Sequence, residues 1–269
     1  MNLSQIDAIS MGFLRRNFVL HCAWPPLWSV VVISNALVLL IVYRHKPLHT
    51  KTWTLLANLA VADILNALPH VIFDAIMALL ALLDRPATMV KWKCLLYSSS
   101  YFLFLCATYS LTLAVSFDRL LAARESAYTK ALLALAWSDA LMHVLVFAFY
   151  NDGYSDPAPI CGVPFVADPG AMRFHHNKFV VMNCLVVVFY AAQFLVLVGK
   201  AAKVSRSIGL VLLVFISTTY ARSLVYVLFT NHEHIIVLSF PIARYLILLM
   251  IANGAANFFI FMLVVGEFR

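Results

Sequence analysis

Seven long apolar stretches dominate the chain, at about 18–43, 53–82, 95–121, 131–150, 179–199, 207–229 and 235–265. Each is long enough to cross a hydrocarbon core of about 30 Å, which takes roughly 20 helical residues. Lipid offers the backbone no hydrogen bonds, so only helices or closed barrels span it. The stretches lack the ten-residue alternation of barrel strands. They therefore predict an all-α membrane protein: a seven-helix transmembrane bundle forming a single domain over residues 1–269. The composition agrees, with 64% hydrophobic and 12% charged residues, against about 45–50% and about 25% in soluble domains. A water-soluble globule is excluded, and no length remains for a second, soluble domain.

Seven crossings put the two ends on opposite sides. One side carries Arg44, Lys46, Lys51, Arg119, Arg124, Lys130, Lys200, Lys203, Arg206 and Arg269 against Asp118, Glu125 and Glu267. The other carries Arg15, Arg16, Arg85, Lys91, Lys93, Arg173 and Lys178 against Asp7, Asp84, Asp152, Asp156, Asp168 and Glu233. The Lys/Arg bias makes the first side cytosolic and the N-terminus extracellular. The formal net charge of +7 is thus a topology signal in short loops, and a nucleic-acid partner is not expected. The first 17 or so residues show no cleavable signal. Asn2, in Asn2-Leu3-Ser4, is a weak candidate glycosylation acceptor.

Asp63 lies in the middle of the second stretch. A charge at that depth costs about 2.5–3.5 kcal/mol on insertion scales, so it must face the bundle interior and find partners. Asn35, Thr108, Asn253 and Asn257 fall at similar depth, the last two four residues apart on one helix face. Such a group can hold a sodium ion through oxygen ligands, or form an interhelical hydrogen-bond cluster without one. Asp118 and Arg119 are adjacent at the inner end of the third stretch, and Cys94 stands 25 residues earlier at its outer end. The five cysteines lack the short paired spacings of metal sites, and Cys22, Cys106 and Cys184 read as small buried hydrophobes.

Taken together, Ser34-Asn35, "NLAVAD" ending at Asp63, Cys94 with Arg119 in "SFDRLLA", Trp137, Cys161 and "NGAANFFIF" from Asn253 resemble the rhodopsin-like G-protein-coupled receptors. Within them "KVSRSIGLVLLVF", "ICGVPF" and the "EFR" ending look most like the nematode serpentine chemoreceptors of the Srsx type, with invertebrate peptide receptors of similar span-seven ending as the second choice. The resemblance covers essentially the whole chain. It implies a multi-pass plasma-membrane receptor that binds an extracellular ligand, whether odorant, peptide or small metabolite, and activates a heterotrimeric G protein, with membrane lipid as its other partner. It further implies a Cys94–Cys161 disulfide, a sodium-linked carboxylate at Asp63, and an Arg119 held by Asp118 until activation. Asn257 and Phe261 fall in the span-seven activation motif. There Phe258 replaces the usual proline and Phe261 the tyrosine, and the stretch from Ile208 to Thr230 has neither tryptophan nor proline. The sequence stops soon after its last span, without length for an eighth helix, as expected either of a minimal receptor or of a truncated sequence.

Candidate ligand-pocket residues are Asp74, Tyr101, Arg244 and Tyr245, charged or aromatic groups in the outer half of the bundle. Each also has an ordinary role open to it: Arg244 can snorkel to headgroups, Asp74 can pair internally, and rings near the interface are common belt residues. Tyr101 stands where amine receptors carry an aspartate, and no Lys follows Ile235, which argues against amines and retinal. Asp139 and Arg222 are intramembrane charges with no role implied by the resemblance; they read as structural pairs or as evidence of relaxed selection on the gene. Three further readings stay open: a non-coupling decoy, a small-solute transporter using the buried charges, and a membrane enzyme using His70, His143 or "NHEH" from Asn231. No catalytic residue, metal site or cofactor beyond the possible sodium ion is expected.

Overall fold

A computed structural model describes residues 3–46, 51–121, 126–149, 157–158, 161, 169–197, 248, 251–252 and 254–255. Five long helices account for almost all of these: α1 (Leu3–Arg44), α2 (Lys51–Leu82), α3 (Lys91–Leu121), α4 (Ser126–Phe149) and α5 (Pro169–Leu197). Among them the segments Ser4–Arg44, Trp53–Leu82, Lys91–Asp118 and Tyr128–Phe149 are long and apolar enough to cross a membrane. The sixth stretch lies outside the described residues. Of the seventh, Leu248, Ile251, Ala252, Gly254 and Ala255 are described, and all are helical.

Helix α3 is the hub, packed against α2, α4 and α5, while α1 lies along α2. Its small side chains allow this: Ala107 on α3 joins Ala62 of α2 and Ala136 and Ala140 of α4 in the central apolar cluster with Leu105, Leu111 and Phe179. Close approach of backbones through small residues is how helices associate where lipid supplies no hydrophobic drive. Ile33, Ile72, Leu135, Leu145 and Val188 instead point outward on the helix surfaces. That is the expected arrangement for faces that meet acyl chains.

The first helix departs most from expectation. It begins at Leu3, about fifteen residues before the apolar stretch, and its 42 residues correspond to about 63 Å of helix. Ile6, Ser10 and Leu14, spaced four apart, are buried on one face of this extension. The face docks on the α2–α3 connection: Ala87 N donates to Ser10 Oγ at 2.9 Å and Thr88 Oγ1 to Asp7 Oδ1 at 2.8 Å. Arg15 Nη2 reaches both oxygens of Asp84 at 2.8 Å. Asp84 has a φ of 55° and ends α2 in a left-handed cap, with Arg85 N donating to Leu80 O and Asp84 N to Ala81 O. This six-to-one and five-to-two pattern satisfies terminal carbonyls of α2 and aims the Asp84 carboxylate at α1.

Helix α5 starts at Pro169 rather than near 179, so Arg173 and Lys178 are helical rather than loop residues. On the outer side a two-residue antiparallel pairing, β1 (Met89–Val90) with β2 (Pro157–Ala158), joins the start of α3 to the α4–α5 connection. Met89 pairs with Ala158 and Val90 with Pro157.

Candidate functional site

Three levels of polar contact run through the bundle. At mid-depth Asp63 of α2 is 4% exposed and accepts a hydrogen bond from Thr108 Oγ1 of α3 at 3.0 Å. Asn35 of α1 is equally enclosed, its Nδ2 donating to Val31 O at 3.0 Å and to Gly254 O in the last span at 3.1 Å. The approach is close because residue 254 is glycine; a Cβ there would stand 2.8 Å from Val31 Cγ1. Asp63 and Thr108 are thus brought together, and Asn35 ties α1 to the span that carries Asn253 and Asn257. Those two asparagines and Phe261 lie outside the described residues.

At the inner end Asp118 is buried, and its Oδ1 accepts a hydrogen bond from the Tyr128 hydroxyl at the start of α4. Arg119 is helical in α3, and its side chain lies outside the described residues. A tyrosine ten residues beyond Asp118, across a short connection, is a partner that the linear sequence does not suggest.

At the outer end Cys94 and Cys161 are joined by an S–S bond of 2.01 Å that closes a 67-residue separation. The bond pins the α4–α5 connection over the start of α3, beside β1 and β2. Asp74 of α2 is 8% exposed and pairs with His21 Nδ1 of α1 at 2.7 Å. Its carboxylate belongs to the α1–α2 joint rather than standing open to an amine. One turn inward, His70 stacks on Trp28 at 4.5 Å between ring centroids and meets Tyr101 edge-on at 5.0 Å. Tyr97 stacks on Phe73 at 4.5 Å beside them. Tyr101 therefore sits in an aromatic group with Trp28, His70 and Tyr97. Arg244, Tyr245 and Asn2 lie outside the described residues.

Sequence reasoning gave Asp139 no family role and counted Lys178 as an outer-loop cation. The structure pairs them: Lys178 Nζ of α5 lies 2.8 Å from Asp139 Oδ1 of α4, and Ser110 Oγ of α3 donates to Asp139 Oδ2 at 2.7 Å. Three helices are thereby crosslinked at one depth. The signal available in the sequence was the lone Asp in α4, which needs a cation at matching depth. The unexpected start of α5 hid that cation. Of the cysteines read as buried, Cys106 is enclosed, whereas Cys22 and Cys184 are exposed on the helix surfaces. A half-apolar thiol is at ease on an apolar surface.

No curated protein matches the chain. The family model of the serpentine type 7TM GPCR chemoreceptor Srsx matches residues 29–269, from within α1 to the last residue. A seven-span receptor family agrees with the apolar helices, the outer disulfide and the polar residues that α1, α2 and α3 bury at mid-depth. The chain belongs to the Srsx family of serpentine seven-transmembrane chemoreceptors.

Proposed function

We propose that this multi-pass receptor acts at the plasma membrane, taking up an extracellular ligand in the outer half of the bundle and activating a heterotrimeric G protein from the cytosolic side. The observation that carries the reading is the Asp118–Tyr128 contact beside Arg119, joined to the family match. A buried carboxylate at the inner mouth, bonded across a helix connection, is an element with two arrangements that ligand binding can bias. The aromatic group of Trp28, His70, Tyr97 and Tyr101 is the ligand end of the proposal. Asp74 is engaged by His21, and Tyr101 stands at the position of an amine counter-ion. Both favour a small neutral or aromatic ligand over an amine. Arg244 and Tyr245 would complete the pocket from the last span.

A sodium ion at Asp63 is part of the same proposal, with Thr108, Asn35, Asn253 and Asn257 as its oxygen donors. Asn35 Oδ1 supports it: this buried acceptor has no hydrogen-bond partner among the described residues. A ring of hard oxygen donors is what a small alkali ion requires.

The test is G-protein nucleotide exchange in membranes carrying this chain or Arg119→Ala at equal surface level, with and without an odorant extract. Stimulated exchange that the variant loses, while ligand binding persists, is the expected result. Full signalling by the variant would sink the coupling role of Arg119. Background exchange in both would favour a receptor that binds without coupling.

A further inference from the structure

We infer that Cys106, His143 and His175 form a site for one thiophilic transition ion, with Cu+ the best match in charge and coordination number. One ligand atom from each side chain lies within 4.8 Å of the other two, and all three residues are buried. They come from three helices: Cys106 from α3, His143 from α4 and His175 from α5. The placement follows from helical repeat. Cys106 is four residues before Ser110, His143 four after Asp139, and His175 three before Lys178. The thiol and imidazoles therefore form a layer one turn outward from the Asp139–Lys178–Ser110 crosslink, on the same three faces.

The packing fits a held ion better than a closed protein network. His143 Nε2 and His175 Nδ1 are 2.8 Å apart, one donating and the other accepting. His143 Nδ1 is buried with no hydrogen-bond partner among the described residues. Buried polar atoms are normally satisfied, so this nitrogen has room for a further component. Phe102 lies 4.4 Å from the His175 ring and Phe179 4.2 Å from it, with Phe174 5.6 Å from His143. These rings exclude water and hold both imidazoles in place. Metal–nitrogen and metal–sulfur bonds of about 2.0 and 2.3 Å put ligand atoms about 3.3–3.8 Å apart. Side-chain shifts of roughly 1 Å would close the cluster on an ion.

Charge selects the ion. Binding releases the Cys106 proton, since the thiolate is the ligand. One thiolate and two neutral imidazoles cancel the single charge of Cu+, whereas Zn2+ would leave a net positive charge at a depth where charge is costly. Zinc also prefers a fourth ligand, and three donors are present among the described residues. Thiolate and imidazole are both acceptable to copper, and thiolate favours its reduced form.

The experiment uses the full chain in nanodiscs with Cys22→Ser and Cys184→Ser as background, titrated with Cu+ under ascorbate against bicinchoninate, and separately with Zn2+. One Cu+ per chain is expected, with a rise in thermal midpoint. Cys106→Ser should weaken binding at least about 100-fold, the upper end of what loss of a mere supporting residue costs. His143→Gln should behave alike. Both variants must keep the metal-free thermal midpoint of the background, which separates ligand loss from misfolding. Should both misfold, the background protein alone decides: less than one Cu+ per chain would overturn the site. Binding that survives Cys106→Ser in a folded protein would do the same. Zn2+ bound as tightly as Cu+ would overturn the assignment to copper.

Discussion

Removing one member of the Asp139–Lys178 pair should destabilise the bundle far more than removing both. Lys178→Met leaves a carboxylate in α4 whose cation, 2.8 Å away, is gone, while Asp139→Asn leaves an ammonium in α5. An unpaired charge at span depth costs about 2.5–3.5 kcal/mol. The Lys178 and Asp139 side chains are 17% and 40% exposed, and both lie on long apolar helices. Each single variant should therefore lose about 3 kcal/mol. At roughly 2–4 °C per kcal/mol for a chain of this size, thermal midpoints in nanodiscs should fall by roughly 6–12 °C. The double variant Asp139→Asn with Lys178→Met carries no charge, and the amide oxygen can still accept from Ser110 Oγ. It should lie within about 1 kcal/mol of the parent, since neutral replacement of a buried ion pair is often tolerated. The cycle then gives a coupling energy of about 5 kcal/mol, above the usual range of about 0.5–3 kcal/mol for contacting residues, because each single variant strands a charge. Single losses that simply add in the double variant would refute the pairing, and with it the depth assigned to α5.

Replacing both Cys94 and Cys161 by serine opens a 67-residue loop and should cost about 4 kcal/mol in the chain-entropy account of crosslinks, read as a fall in thermal midpoint at unchanged reductant-free conditions. A loss below 1 kcal/mol would mean that the connection is held by β1 and β2 instead. Gly254→Ala places a Cβ 2.8 Å from Val31 Cγ1, and Val31 has little rotamer freedom in a helix, so overpacking of about 1–3 kcal/mol is expected. Adding Val31→Ala should recover most of it; no recovery would mean that the contact is misplaced. Tyr128→Phe removes a hydrogen bond to the buried Asp118, of the class that contributes about 1.5–3 kcal/mol, and should shift basal nucleotide exchange measurably. Identical basal and stimulated exchange would show this contact to be inert in signalling.

The helical membrane class was fixed by the length of the apolar stretches, because lipid leaves the backbone no other way to bond. Asp63 and Thr108 were legible at matching depth, since depth along a helix is set by residue number alone at about 1.5 Å each, and the Cys94–Cys161 pair was legible only through the family resemblance. Partners across helices were not legible. Nothing local in Lys178 says that it turns toward Asp139, or in Tyr128 that it reaches Asp118; helix phase and crossing decide both. The extension of α1 was missed for a related reason. Its buried stripe of Ile6, Ser10 and Leu14 includes a polar residue and is flanked by Asp7, Arg15 and Arg16, so it lacks an apolar signature. Only the capped end of α2, with Asp84 turned toward Arg15 and Ala87 bonded to Ser10, gives that face something to bind. Cys106, His143 and His175 lie on three separate helices, up to 69 positions apart in the chain. The sequence determined the type of each helix and the depth of each residue; the tertiary structure decided which residues meet, because contact depends on rotation about axes that a single helix does not specify.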